Sequence, residues 1–491
     1  MNKLLTGMQG VNNVGYTENG AVTHKSTLNM VLDYFATAAA KRGQDNTAMF
    51  MRAYAENPLL ALKVAFYIRD VRGGQGERET FRQALRWLKA NDPVAFNKVI
   101  VLVPVYGRWD DVLEFVDNSM VKNMVLEQLT SDNLNDHPSL LAKWMPSENA
   151  SSKDTVKLAN KWINALGMSK REYRKMLVTL RRKIVLVESL MSAQAFGDIN
   201  YEHVPSKAAK LYRKAFNKRD GVRYGEYIAA VNKGEKKISA GAIYPYELIG
   251  TYVDAKEYSR SADIDATLEA QWKALPNYAE SEDNALVMVD VSGSMFQTVA
   301  QVENMPIKVA VSLGIYIAER NHGAFRNNFI TFTGNPALVT LRGFTLRDKV
   351  DEVFNAGVGY NTNIQAAFDM LLNTAVRNRV PASDMPTKIY VVSDMEFDSS
   401  SVGGNYTNFD VIKRKYAAAG YEMPTLIFWN VAARGNNMPV TQNEKGVYLV
   451  SGASPSIFKA TINAKAITPL DMMLETINVD RYAAIEEALN S

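Results

Sequence analysis

The stretch that most constrains this chain is Ala285-Leu-Val-Met-Val-Asp-Val-Ser-Gly-Ser-Met295. Its apolar residues 285–289 run unbroken into Asp290, and Ser292 and Ser294 follow at alternate positions. A run of this kind, ended by polar and glycine residues, predicts a central strand of a parallel sheet covered on both faces. The Asp-x-Ser-x-Ser then falls in the loop at the strand's carboxyl end, where open α/β sheets place their ligand sites. One carboxylate and two hydroxyls at a spacing of two can converge on a hard cation, because Mg²⁺ takes small oxygen ligands in octahedral geometry.

Two later segments supply what such a site still lacks. Gly357-Val-Gly-Tyr-Asn-Thr-Asn363 is a glycine-rich loop leading into the amphipathic run 364–372, and it offers the hydroxyl of Thr362. Ile389-Tyr-Val-Val-Ser-Asp394 is a second β-rich apolar run that ends in a carboxylate. Asp290, Ser292, Ser294, Thr362 and Asp394, on three successive loops, resemble the metal-ion-dependent adhesion site of von Willebrand factor A (vWA) domains. That resemblance implies Mg²⁺ or another divalent cation such as Mn²⁺. Each piece alone is equally a nucleotide-type βα loop or a plain turn; their order along the chain favours the metal reading.

At 491 residues the chain is too long for one ordinary domain, and its rhythm changes once. Residues 1–25 read as a polar arm rich in glycine and asparagine. From 26 to 278 helical patterns follow one another, beginning with the stripe Leu28, Val31, Leu32, Tyr34 and Phe35. Helices are predicted at 46–55, 58–69, 77–90, 94–102, 109–117, 154–166, 169–191, 206–217 and 222–232. Short breaks with Pro, Gly or Asn separate them, as at Asn57-Pro58 and Asn91-Asp92-Pro93. Helix pairs joined this way predict an all-α array of HEAT-like or irregular stacking. Past the polar stretch 276–284 the pattern alternates. Strand-like runs at 285–290, 328–333, 337–341, 388–393, 424–430 and 446–450 are interleaved with helical runs at 304–320, 346–355, 364–377, 408–419 and 470–478. The expectation for 279–491 is an α/β, doubly wound, mostly parallel sheet.

Composition removes several function classes. The chain has no cysteine, which excludes disulfides, thiolate zinc sites and a cysteine nucleophile, and fits a reducing, cytoplasmic setting. Its first residues lack the apolar core of a signal peptide, and no apolar run approaches the roughly 20 residues of a membrane helix. The four histidines, His24, His137, His203 and His322, are scattered, with none at metal-ligand or dyad spacing. No Gly-x-Ser-x-Gly elbow is present, so a non-catalytic protein is expected. Gly73-Gly-Gln-Gly-Glu-Arg78 follows a helical pattern and lacks the Gly-Lys-Ser/Thr of a phosphate loop, which makes it a helix–helix turn. In Tyr106-Gly-Arg-Trp-Asp-Asp111, Asp110 is expected to cap the following helix.

Net charge is only +4, but it is unevenly spread. Residues 168–221 hold thirteen Lys/Arg against five Asp/Glu. Two predicted helices carry this excess opposite an apolar stripe. The first bears Lys170, Arg171, Arg174, Lys175, Arg181, Arg182 and Lys183; the second bears Lys207, Lys210, Arg213, Lys214 and Lys218. Such stripes suit a phosphate backbone, where each neutralised phosphate releases counterions. A merely solvated basic face is the plain alternative. Tyr173 and Tyr212 fall on the apolar stripes and are expected in the core rather than under bases.

Longer segments carry a family resemblance. Tyr67-Ile-Arg-Asp-Val-Arg-Gly-Gly-Gln-Gly-Glu-Arg78, Tyr106-Gly-Arg-Trp-Asp-Asp111, Lys143-Trp-Met-Pro146 and Val392-Ser-Asp-Met-Glu-Phe397 are similar to the Ro-related DUF2828 family. A helical domain ahead of a vWA domain with an intact Asp-x-Ser-x-Ser also resembles the Ro (TROVE) proteins. The resemblance implies a ring of HEAT-like repeats closed by the vWA domain. It also implies a ribonucleoprotein that binds small non-coding or misfolded RNA on basic helices, with a divalent metal held by the five positions above. The rival readings are a metal-dependent protein-interaction scaffold whose partner completes the metal site and, more weakly, a metal-dependent hydrolase.

Overall fold

The computed structural model describes residues 12–184, 186–257, 263–278, 284–303, 305–332, 334–356, 359, 361–399, 406–462 and 464–491. The chain divides as its rhythm suggests, into a helical N-terminal part and a C-terminal α/β part. Part of the expected boundary, 279–283, lies outside the described residues.

The breaks between the first helices are built from local chemistry. Asn57 accepts a hydrogen bond from the Leu60 amide, and Pro58 takes the first helical position of Pro58–Arg69. Asp92 and Pro93 repeat the arrangement for Pro93–Val99. In both cases a side-chain acceptor satisfies an orphan amide, while proline sits where its missing N–H costs nothing.

Several predicted elements take another form. In place of a helix over 109–117 there are two single 3₁₀ turns, Trp109–Asp111 and Leu113–Phe115. Asp111, not Asp110, organises this turn: its buried carboxylate accepts from the Arg108 amide and from the Arg69 guanidinium. Asp110 pairs instead with Arg82 at 3.0 Å. The expected 169–191 helix is two, Lys170–Ile184 and Val187–Ser192. Conversely 206–217 and 222–232 are continuous as Ser206–Asn232, kinked at Asp220, whose carboxylate accepts from the Tyr201 hydroxyl and the Arg223 guanidinium.

Within 1–25, the described residues contain an antiparallel hairpin, β1 (Val14–Tyr16) and β2 (Val22–His24). The large sheet consists of β3 (Ala285–Asp290), β4 (Asn328–Phe332), β5 (Ala337–Thr340), β6 (Lys388–Ser393), β7 (Thr425–Asn430) and β8 (Val447–Ser451). Their order is β5-β4-β3-β6-β7-β8, and every pair is parallel except β4 with β5. Every residue of β3 is buried, as an apolar run at the centre of a two-sided sheet requires. The direction of strand addition reverses between β3 and β6. Their carboxyl ends therefore open a crevice at the topological switch point, where ligands of such sheets bind.

The helical part meets the sheet domain at both of its ends. Met30–Thr37 packs on β8 and on Pro469–Ile477, whereas Pro245–Glu257 packs on Met305–Arg320 and Leu346–Asn355. The two ends also touch each other: the Tyr244 hydroxyl donates to the Gln75 carbonyl at 3.1 Å. This contact explains Gly76, and the tight turn back on Tyr67 explains Gly74. A Cβ on Gly74 would lie 1.9 Å from the Tyr67 carbonyl oxygen, and one on Gly76 (φ +63°) 2.0 Å from the Tyr244 hydroxyl. Both positions of this turn are therefore restricted to glycine. No helix among the described residues is long and apolar enough to cross a membrane.

Candidate functional site

The five nominated oxygen donors come from three loops that the fold draws to one place. β3 and β6 pair in register from Ala285↔Lys388 to Val289↔Val392, so Asp290 stands beside Ser393 and Asp394 follows one step beyond. The Ser393 hydroxyl donates to Asp290 Oδ2 at 2.6 Å, and the Ser292 amide to Oδ1 at 2.9 Å. A parallel bridge between Ser292 and Gly359 brings in the third loop. That loop is held from its far side by the Asp398 amide, which donates to the Thr362 carbonyl at 3.0 Å. Gly357, Val358 and Tyr360 of this loop lie outside the described residues.

The chemistry of the cluster is that of hard oxygen donors. Asp290, Ser292, Thr362 and Asp394 are buried, and Ser294 is partly exposed. The hydroxyls of Ser292 and Ser294 bond each other at 3.1 Å. Burial and the neighbouring Asp394 carboxylate push Asp290 up to about 7, against the opposing pull of its bonds to Ser393 and Ser292. Two neighbouring buried carboxylates and the paired hydroxyls of Ser292 and Ser294 are hard oxygen donors of the kind that fits a divalent cation of the Mg²⁺ or Mn²⁺ type. Among the described residues there is no group of three or more His, Cys, Asp or Glu that could hold a metal.

Sequence reading missed Arg434. Its guanidinium donates to Asp394 Oδ2 at 2.9 Å and pairs with Glu18 at 3.1 Å. It reaches the cluster because the chain leaving β7 runs beside the end of β6, with the Val431 amide donating to the Ser393 carbonyl. Also missed was the hairpin turn, which lies against the loop after Asp394. The Glu18 amide donates to Glu396 Oε2 at 2.7 Å, and the Thr17 hydroxyl to the Phe397 carbonyl at 2.6 Å. An arginine in an Ala-Ala-Arg-Gly loop carries no sequence signal of this role.

The structure divides the twelve nominated cations into two kinds. Arg181 donates to the carbonyls of Ala142 and Met145 and to the Ser147 hydroxyl, and Lys183 to the carbonyls of Asn133 and Asn135. Arg213 is buried against Asp265 at 2.6 Å, Arg174 pairs with Glu148 at 2.8 Å, and Lys207 pairs with Glu247 at 3.3 Å. Lys210 is half-buried, and that burial lowers its ammonium below the usual lysine range. By contrast Lys170, Arg171, Lys175 and Arg182, and further on Lys214 and Lys218, are exposed and have no ion pair or hydrogen bond among the described residues. At 100° per residue the first four fall within about 140° of arc. Arg171, Lys175 and Arg182 lie opposite Tyr173, Leu177 and Leu180, which are buried as expected, whereas Lys170 falls at the edge of that apolar stripe. Tyr212 is half-buried and reaches Glu188.

Comparison with known proteins covers both parts. Residues 17–125 and 148–278 match the family described as Domain of unknown function (DUF2828). Residues 284–487 match the family described as Domain of unknown function (DUF7788). Among curated proteins, "Uncharacterized protein L728" of Acanthamoeba polyphaga mimivirus is 28% identical over 512 residues, spanning 95% of this chain and 87% of that protein. Among solved structures, the Deinococcus radiodurans RO (RSR) protein aligns over 94% of this chain and 96% of its own. Identity there is 14% and the TM-score 0.35.

Proposed function

We propose that this chain, which belongs through its helical half to the DUF2828 family, is a non-catalytic RNA-binding protein with a divalent-cation site in its α/β domain. The observation that carries the RNA reading is the row of exposed, unpaired cations Lys170, Arg171, Lys175 and Arg182 along one side of a single helix. A row of exposed cations spaced along a helix can neutralise successive phosphates. The resemblance of the sequence to the Ro-related family supports small non-coding or misfolded RNA as that polyanion. Lys214 and Lys218 extend the reading to a second stripe, whereas Arg181, Lys183 and Arg213 are held by internal partners.

In the α/β domain, Asp290, Ser292, Ser294, Thr362 and Asp394 would hold Mg²⁺ or Mn²⁺. When bound, the ion supplies positive charge able to draw an oxygen ligand from a partner. Asp290 and Asp394 would carry the charge, and the serine and threonine hydroxyls would complete the oxygen shell. That cluster favours a second reading, a protein-interaction scaffold whose partner contributes an acidic side chain.

The test is to purify the protein from its host at moderate salt, sequence the nucleic acid that accompanies it, and repeat with K170E/R171E/K175E/R182E. We expect a discrete small RNA with wild type and at least a tenfold loss of affinity in the variant. The salt dependence of binding should become shallower by about three for a single strand. A folded variant that binds RNA as wild type does, or a preparation carrying a chelator-sensitive protein partner and no RNA, overturns the RNA reading.

A further inference from the structure

Arg434 sits where a divalent cation's own charge would be needed. Its guanidinium holds one oxygen of Asp394, while the Glu396 amide holds the other at 3.2 Å. The Asp394 side chain is fully buried, whereas that of Arg434 is 30% exposed. The same guanidinium has a second seat on Glu18, at the more exposed tip of the β1–β2 hairpin. Its Nε is buried without a hydrogen-bond partner among the described residues, so the group is only partly satisfied where it lies. It also lines an open cleft of about 530 Å³, walled by Arg42 and Gln44 of the helical part and by Gln297 and Gln301 beyond the serine loop. The guanidinium therefore has both a reason and room to leave Asp394.

The hairpin tip is fastened to the loop that carries Asp394 by more than this arginine. Glu396 accepts from the Glu18 amide, and the Asn437 side-chain amide lies 2.8 and 2.9 Å from its two oxygens. The Asn19 side-chain amide donates to the Glu396 carbonyl at 2.6 Å, and Gly20 forms a bridge with Asp398. Glu18 is thus held in reach of Arg434 whether or not Arg434 is on Asp394.

We propose that Arg434 is a resident counter-cation that competes with the divalent ion for Asp394, and that Glu18 is the seat to which its guanidinium withdraws when the ion binds. The inference rests on the metal reading of Asp290, Ser292, Ser294, Thr362 and Asp394. A charge-matched buried carboxylate binds an incoming cation less tightly than an unmatched one, because the guanidinium must first be displaced. Removing the arginine removes the competitor and also a positive charge beside the site. Removing the Glu18 carboxylate takes away the second seat and ties the guanidinium to Asp394.

The experiment is titration of the full chain with Mn²⁺, followed by calorimetry and by the loss of free-ion paramagnetic signal, in wild type, R434Q, E18Q and D290N. We expect R434Q to bind Mn²⁺ at least tenfold more tightly than wild type and E18Q several-fold more weakly, with D290N showing no binding. Glu18 is exposed, so E18Q keeps the inference open to refutation even where R434Q folds poorly. Equal or weaker binding by R434Q, or unchanged binding by E18Q, overturns the competition while leaving the metal site standing. Absence of Mn²⁺ binding in wild type and R434Q alike overturns the metal reading itself.

Discussion

Two groups of buried carboxylates in this molecule are matched in opposite ways. At the junction of the helical part with the C-terminal helices, Asp111 receives the Arg69 guanidinium at 2.7 Å, Arg82 at 2.9 Å and the Arg108 amide at 2.9 Å. Nearby, Asp70 receives the Arg481 guanidinium and the Tyr482 hydroxyl. Each acid there has a guanidinium of its own. At the crevice between β3 and β6, Asp290 and Asp394 face one another with a single guanidinium on one of them, shared with Glu18. Equal burial therefore serves different ends. Matched charge joins segments of the fold, whereas the crevice leaves two neighbouring carboxylates with one guanidinium between them, the arrangement on which the proposed metal site rests.

The sharpest way to break this contrast is to remove one acid from each group. Asp111→Ala leaves Arg69, 1% exposed, without its partner. Breaking a buried pair on one side costs about 3–5 kcal/mol. Asp290→Asn, at the same burial, removes a repulsion and keeps the shape and most of the hydrogen bonding. In chelator-treated protein we expect thermal unfolding of Asp111→Ala to fall by many degrees. That of Asp290→Asn should hold steady or rise. Equal losses in the two variants would mean that the crevice acids are structural like those of the junction.

A gentler perturbation adds the cation rather than removing the acid. A ligand that binds only the folded chain stabilises it by about 2.7 kcal/mol at a hundredfold excess over Kd. Mg²⁺ or Mn²⁺ is expected to raise the unfolding temperature of wild type accordingly and to leave Asp290→Asn unmoved. Unfolding followed with and without chelator measures both. A rise that persists in Asp290→Asn would place the ion elsewhere.

The contrast also explains what the sequence could and could not tell. Asp290, Ser292, Ser294, Thr362 and Asp394 can be nominated from the sequence because each sits at the end of an apolar run or the start of a helix. Sheet topology then brings such ends together without needing to be known in detail. The helix breaks at Asn57-Pro58 and Asp92-Pro93 are legible for a similar reason, since cap and proline act within four residues. Partners far apart in sequence are a different matter. Arg181 reads as a surface cation, yet its acceptors lie at 142–147; Arg213 reads the same way, yet Asp265 lies 52 positions on. Arg434 and Glu18 are 416 positions apart and meet only through strand pairing. The helix Ser119–Leu134 went unseen because its buried Val121, Val125 and Leu129 are a thin stripe in an otherwise polar segment. The β1–β2 hairpin, three residues a side, has no stability apart from the surface it docks on.

That docking supplies the smallest effect and a test of the hairpin's independence from the crevice. His24 closes the hairpin's other end, exchanging backbone hydrogen bonds with Met438 at 2.9 Å in each direction. Burial lowers its imidazole below the ordinary value of 6.5, outweighing the carboxylates of Asp410 and Glu444, which act the other way. The neutral ring is the form the docked hairpin prefers. A histidine whose folded value is depressed contributes stability above its unfolded value, and that contribution is lost as pH falls through 6.5 and below. Solvent screens a half-exposed group, so the cost stays well under about 1 kcal/mol. We expect proteolysis within residues 12–24 to quicken as pH drops from neutral to about 5, and His24→Gln to flatten that dependence. Because His24 faces Met438 rather than Arg434, the acid effect should persist unchanged in R434Q. A pH response that disappears with Arg434 would make the hairpin and the crevice one unit, with the guanidinium as its lock.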